Sequence, residues 1–151
     1  MLAERLGGRY FDADDFHPPE NVAKMAGGEP LDDRNRAPWL ERLRCEVIEP
    51  AEAGAVSVLG CSALKRRYRE KLVGGEDGVA VVFLDGRFEV LEERMYGRPG
   101  HYMKAGMLRS QFEILEPPEP DERVLTVAVD RPPEAVVQEV MERLCPDGGQ
   151  R

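Results

Sequence analysis

The sequence predicts an α/β fold with a mainly parallel sheet covered by helices. Three observations carry that expectation. Aliphatic runs at 55–59, 79–84 and 124–129 alternate with segments of helical periodicity. The run at 79–84, VAVVFL, is apolar throughout, as expected for a strand covered on both faces, the usual state of parallel strands. At 151 residues the chain is long enough to bury one substantial core, and no repeat or linker divides it. We therefore expect one domain over 1–151.

Residues 1–6 read as the last turns of an amphipathic helix, with Leu2 and Leu6 four apart and Gly7-Gly8 as its stop. Tyr10-Phe11 is a short β-prone run, so Asp12 and Asp14 stand where a strand gives way to a loop, the place where open α/β sheets bind ligands. Pro18-Pro19-Glu20 opens a short helix through Met25, because proline is tolerated in a first turn and acids favour that end. Gly27-Gly28 stops it. A longer helix over about 36–53 carries Trp39, Leu40, Leu43, Val47 and Ile48 at helical spacing. After the strand at 55–59 comes Gly60-Cys61-Ser62, with Ser62 as the expected N-cap of a helix over 63–72. A helix at 88–95 follows the strand at 79–84, and a glycine-rich basic stretch leads to another at 107–115. Pro117, Pro118 and Pro120 break that helix. The strand at 124–129 precedes a final helix, introduced by Asp130 and Pro132-Pro133, with Val136, Val137, Val140, Met141 and Leu144 on one face.

The segment 12–40, DADDFHPPENVAKMAGGEPLDDRNRAPWL, is too polar and too rich in proline and glycine to be core, and reads as a substrate-gripping segment. Acidic residues outnumber basic ones 29 to 21, giving a net charge of -8, which argues against a nucleic-acid partner. Basic residues nevertheless cluster at 65–71 and 94–104, so a small anionic ligand fits. Three cysteines without CxxC spacing and two distant histidines suggest neither a disulfide scaffold nor a zinc site, and a reducing cytoplasm fits best. The start has no apolar leader and the longest aliphatic run is too short to span a bilayer, so no membrane partner is expected.

Five stretches taken together resemble the gluconate kinase family of P-loop kinases: DADDFHP at 12–18, NVAKMAGGEPLDDRNRAPWL at 21–40, CSALKRRYR at 61–69, the run at 94–103, and LRSQFEILEPP at 108–118. The resemblance implies a three-layer P-loop kinase-like fold and ATP-dependent phosphorylation of D-gluconate to 6-phosphogluconate with Mg²⁺. Members of the family often form homodimers. One family element has no counterpart, because a P-loop reads GxxxxGK[ST] and no Gly-Lys pair occurs in the 151 residues. By the resemblance, roughly 20 residues holding the first, central strand and this loop would precede the present start. The expectation is an N-terminally truncated domain with exposed strand edges and a gap in its core.

Transfer of a phosphoryl group to an alcohol requires an aligned hydroxyl, a metal and positive charge on the moving group. By the resemblance, Asp14 accepts or orients the hydroxyl proton and Asp12 supports Mg²⁺ through water; on spacing alone either could be a cap or turn acid. Arg36 is assigned to the substrate carboxylate, which a guanidinium matches with two parallel hydrogen bonds; the alternative is a helix-start arginine paired with Asp32 or Asp33. Lys65 follows a strand end, so its ammonium could reach the same crevice. His17 lines the sugar site or packs a loop, while Trp39 is a packing anchor. Arg94 and Arg98 belong to a candidate lid at 94–106 that closes over ATP. His101 and Gln111 match positions near the substrate, and Asp130 lies near the nucleotide by analogy. The rival reading is a non-catalytic fragment of the same fold that retains the sugar-acid grip.

Overall fold

The computed structural model describes residues 1–50, 54–96 and 105–145. A one-turn helix, α1 (Leu2–Arg5), leads through Gly7 and Gly8 into strand β1 (Arg9–Asp12). Gly8 admits no side chain, since a Cβ there would lie 2.3 Å from the Val56 carbonyl oxygen. A 3₁₀ turn (Ala13–Phe16) and helix α2 (Pro19–Ala26) follow, then α3 (Asp33–Leu43), which runs on into a π-helical turn (Arg44–Ile48). Strand β2 (Ser57–Gly60), helix α4 (Arg66–Val73), strand β3 (Val81–Asp85), helices α5 (Phe88–Tyr96) and α6 (Ala105–Ile114), strand β4 (Val124–Ala128) and helix α7 (Pro133–Leu144) complete the order.

Among the described residues all strand pairing is parallel, and it comes in two separate pairs. β1 lies beside β2 with Arg9 opposite Ser57 and Asp12 opposite Gly60. β3 lies beside β4 with Val81 opposite Val124 and Asp85 opposite Ala128. Each pair has its own core. Trp39, Leu40, Leu43, Val47, Tyr68 and Leu72 cover the first, and Val127, Val129, Val136 and Val140 form the second. Between them lies a cavity of about 1130 Å³, bounded by β2 on one side and β3 on the other and lined by Val56, Leu59, Val81, Phe83 and Leu84 among others. Among the described residues no ladder joins β2 to β3. The sheet is thus parallel, as the sequence predicts, and open in its middle, where the resemblance puts a central strand.

That opening corrects the reading of 79–84 as covered on both faces. Leu84 is 54 % exposed, because its side of β3 meets the cavity instead of a neighbouring element. Two clasps join the halves. Leu2 of α1 packs on the second core while Arg5 donates to Gln138 of α7 at 2.7 Å. On the opposite flank α4 is bound to the 116–122 segment through Arg66 and Arg69.

Two helix boundaries also differ from expectation. Asp32, not a residue near 36, starts the long helix: its carboxylate accepts from the Asn35 backbone N–H at 2.8 Å while the Asn35 side chain accepts from the Asp32 N–H. This reciprocal cap outweighs the neutral helix preference of the run between them. Ser62 is not a cap. Residues 61–64 form no regular element and Lys65 is extended, with the Glu116 N–H on the Leu64 carbonyl at 2.8 Å, and α4 begins at Arg66, whose own N–H is satisfied by the Glu116 carboxylate at 2.9 Å. The cap arrives from fifty residues away, so no local signal marks it.

Candidate active site at the ends of two parallel strands

β1 and β2 end side by side, and the residues after them form a polar crevice. Asp12 closes β1 as the N-cap of the 3₁₀ turn, its Oδ1 accepting from the Asp14 N–H at 3.0 Å. This fixes the backbone that carries Asp14. The following turn brings His17 under it, with Nε2 3.8 Å from the Asp14 carboxylate. His17 is 8 % exposed and stacked flat on the indole of Trp39. Its Nδ1 faces the side-chain amide of Asn21 at 3.3 Å, an arrangement that places the ring proton on Nε2, toward Asp14. Burial, aided by the charge of Arg36, pushes the imidazole down to about 4, so the ring is neutral at physiological pH.

Trp39 is the packing anchor the sequence suggests. Fully buried, it donates from Nε1 to the Ala13 carbonyl at 2.7 Å, tying α3 to the residue between the two aspartates. Three residues earlier on α3, Arg36 is also buried, with Nε donating to the Leu31 carbonyl at 3.3 Å and its guanidinium 5.8 Å from the centre of the Tyr68 ring. It does not pair with Asp32 or Asp33, which removes the helix-start alternative. Cys61, just past β2, sits among these charges: burial lifts its thiol to about 11, Asp14 and Asp12 add to the rise, and Arg36 opposes it.

Lys65, at the N-cap of α4, reaches Asp33 on α3 at 3.0 Å and lies 5.7 Å from the Tyr68 ring. Asp12, Asp14 and His17 thus stand together after β1, with the Arg36 charge felt at His17, while Arg36 and Lys65 both approach the Tyr68 ring between α3 and α4. Among the described residues no cluster of three or more metal-ligating side chains occurs. A single carboxylate with water is nevertheless a donor set that suits Mg²⁺, which keeps several waters and takes oxygens from substrate phosphates.

With this geometry in view, the comparisons are decisive. The chain is 42% identical over 142 residues to a thermoresistant gluconokinase of Escherichia coli K12, covering 93% of this chain and 81% of that protein. It is 43% identical to a gluconokinase of Gluconobacter oxydans, covering 93% and 79%. The chain belongs to the gluconokinase family. Membership makes it a kinase, a phosphotransferase by class. A solved gluconokinase from Sinorhizobium meliloti superposes with a TM-score of 0.82 at 40% identity, over 97% of this chain and 83% of the other. A sugar kinase from Janibacter does so with 0.80 at 38% identity, over 99% and 90%. No family model matches the chain.

Within this gluconokinase fold Gln111 and Arg94 stand on other elements, α6 and α5. Gln111 of α6 lines the cavity between the strand pairs. Arg94 donates to the Arg131 carbonyl at 2.6 Å, which brings it to the loop that holds Asp130 after β4, on the second half of the sheet. Arg98 and His101 lie outside the described residues, as does most of the candidate lid at 94–106. Among the described residues no helix is long and apolar enough to cross a membrane.

Four residues around these side chains were given no site role by the sequence. Asn21 is 2 % exposed and bridges α2 to α3 through the Asn35 carbonyl at 2.8 Å while touching His17. Asn35 completes the cap and accepts from Lys24 at 3.2 Å, so its amide suits this position. Asp33 and Tyr68 meet between α3 and α4. An acid in the first turn of one helix, opposite the basic start of another, is the one signal in the chain that points to this pair.

Proposed function

We propose that this gluconokinase relative phosphorylates D-gluconate at the expense of ATP, giving 6-phosphogluconate. The observation that supports the reading best is the convergence of Asp14, His17, Arg36 and Lys65 at the carboxyl ends of β1 and β2. Arg36 spends Nε on Leu31, and among the described residues its terminal amino groups make no further hydrogen bond, so they suit a carboxylate. Asp14 orients the acceptor hydroxyl and takes its proton as the bond to phosphorus forms. Neutral His17 and the Asp12 cap hold that carboxylate in place. Mg²⁺, when bound, neutralises charge on the phosphates, and Asp12 is the residue suited to support it through water. Arg94, Arg98 and Asp130 are assigned to the nucleotide side, His101 and Gln111 to the substrate side, in a domain proposed to span 1–151. Cytoplasmic location and a homodimer belong to the same reading.

A second reading rests on two observations: no Gly-Lys pair in 151 residues, and the open middle of the sheet. Under it, residues 1–151 bind the sugar acid without turnover. A coupled assay for 6-phosphogluconate, run on 1–151 and on a version extended upstream by a relative's P-loop segment, tests both. Turnover only in the extended form supports the kinase reading with a separate phosphate-binding part. Turnover by neither, with gluconate bound by 1–151, favours the binding fragment. Absence of both binding and turnover rejects the sugar-acid site.

A further inference from the structure

Asp33 is the common partner of three groups at the start of α4, its N-cap Lys65 included. Its Oδ1 accepts from Lys65 at 3.0 Å and from the Tyr68 hydroxyl, and its Oδ2 accepts from Arg67. Tyr68 is buried beneath this cluster, and its ring is approached by three cations, Arg36 at 5.8 Å and Lys65 and Arg67 at 5.7 Å each. Two of those cations, Arg36 and Lys65, are the ones assigned to an anionic substrate. Three positive charges around one ring repel one another unless an anion lies among them. Asp33 is that anion, and it stands on the helix that carries Arg36, one turn before it. Hydrogen bonds from Tyr68 and Lys65 hold its carboxyl far below the usual carboxylate range, so the charge persists at any working pH.

We propose that Asp33 is a positioning residue that sets carboxylate selectivity in the sugar-acid crevice, by holding Lys65 and Tyr68 of α4 beside Arg36 of α3. The claim rests on the sugar-acid reading above. Asp33 does not touch substrate; it determines where Lys65 stands. Without it Lys65 is free to turn to solvent, and a carboxylate meets Arg36 alone. A neutral polyol of the same length loses nothing, because it never used the cation pair.

The test is calorimetric titration of 1–151 with D-gluconate and with D-glucitol, which carries a hydroxymethyl group in place of the carboxylate. Asp33→Asn is expected to weaken gluconate on the order of tenfold and to leave glucitol unchanged. Asp33→Glu, which keeps the charge, retains selectivity. Lys65→Met produces the same loss, and the double variant Asp33→Asn with Lys65→Met loses no more than either alone. A ligand-free readout accompanies these: the Tyr68 hydroxyl, lifted to about 12 by burial and then by Asp33, titrates lower in Asp33→Asn by NMR of labelled tyrosine. Equal loss of both ligands together with a lowered melting temperature would show a merely structural role and overturn the proposal. An unchanged gluconate-to-glucitol ratio in Asp33→Asn overturns it as well. If wild type binds neither ligand, the sugar-acid reading itself fails and selectivity falls with it, whatever Tyr68 shows.

Discussion

Arg69 and Glu122 form a two-pronged ion pair, Nε to Oε2 and Nη2 to Oε1 both at 2.8 Å, with both side chains buried. The Arg69 Nη1 also donates to the Glu116 carbonyl at 2.9 Å, so one guanidinium ties α4 to the segment before β4. Removing one partner of such a pair leaves an uncompensated charge in the interior. Arg69→Met is expected to lower the unfolding free energy by about 3 kcal/mol, read as a shifted urea midpoint. Arg66→Met, which breaks the exposed pair with Asp121, costs under about 1 kcal/mol. Equal effects at both positions would refute the assignment of Arg69 as the clasp between the halves.

Stability is expected to fall with acid between pH 7 and pH 5 because of His17. The ring is held at about 4 in the folded chain, mainly by burial, against about 6.5 when unfolded. The unfolded state therefore takes up more protons in this window, and the folded state is favoured fully above pH 6.5 and progressively less below it. The loss from this group is about 2 kcal/mol between pH 7 and pH 5. Urea midpoints across that range should slope steeply for wild type and flatten in His17→Gln.

Arg36→Lys is not a conservative change where a planar fork faces a carboxylate. Gluconate affinity should drop about tenfold or more in Arg36→Lys, and further in Arg36→Ala, by titration calorimetry. Asp14→Asn should behave differently. In a form that turns over, it lowers kcat by about a hundredfold or more while gluconate affinity changes little. Wild-type rates in Asp14→Asn would remove it as the proton acceptor.

The cavity between β2 and β3 exposes aliphatic side chains, Val56 at 39 % and Leu84 at 54 % among them. An apolar surface of this kind should bind a hydrophobic fluorescent dye without loss of secondary structure. Leu84→Asp is expected to reduce that signal. A native-state chain that leaves the dye dark would mean the space is filled in solution.

The residue pattern announced the strands and the α-helices but not the 3₁₀ turn at Ala13–Phe16, and periodicity served best where an element buries one face against one of the two cores. Val136 and Val140, four apart on α7, are a direct example. The stretch at 12–40 was expected to be too polar for core, yet it sends Ala13, Leu31, Trp39 and Leu40 into the interior and buries His17, Asn21 and Arg36 beside them. What stayed hidden is what depends on residues far apart in the chain. Glu116 caps α4 from fifty positions away, and Asp33 finds its partners on a helix more than thirty residues on. Asn35 closes a capping box and anchors Asn21 through its carbonyl, a role that depends on a helix fourteen residues away. The parallel sheet was legible, whereas Leu84 was read as buried because a run of apolar residues does not reveal that a neighbouring strand position stands open.

Trp39 is the single tryptophan of the chain, and it is stacked on His17 with ring centroids 4.4 Å apart and planes 13° from parallel. All indole emission from this protein therefore originates one ring away from Asp14. A charged imidazole quenches a stacked indole far better than a neutral one, so the emission reads the protonation of His17 directly. A ligand that draws Asp14 away, or a helix α3 that shifts on binding, changes the brightness and colour of the same ring. The crevice comes with its own optical label, and no dye need be attached to watch it fill.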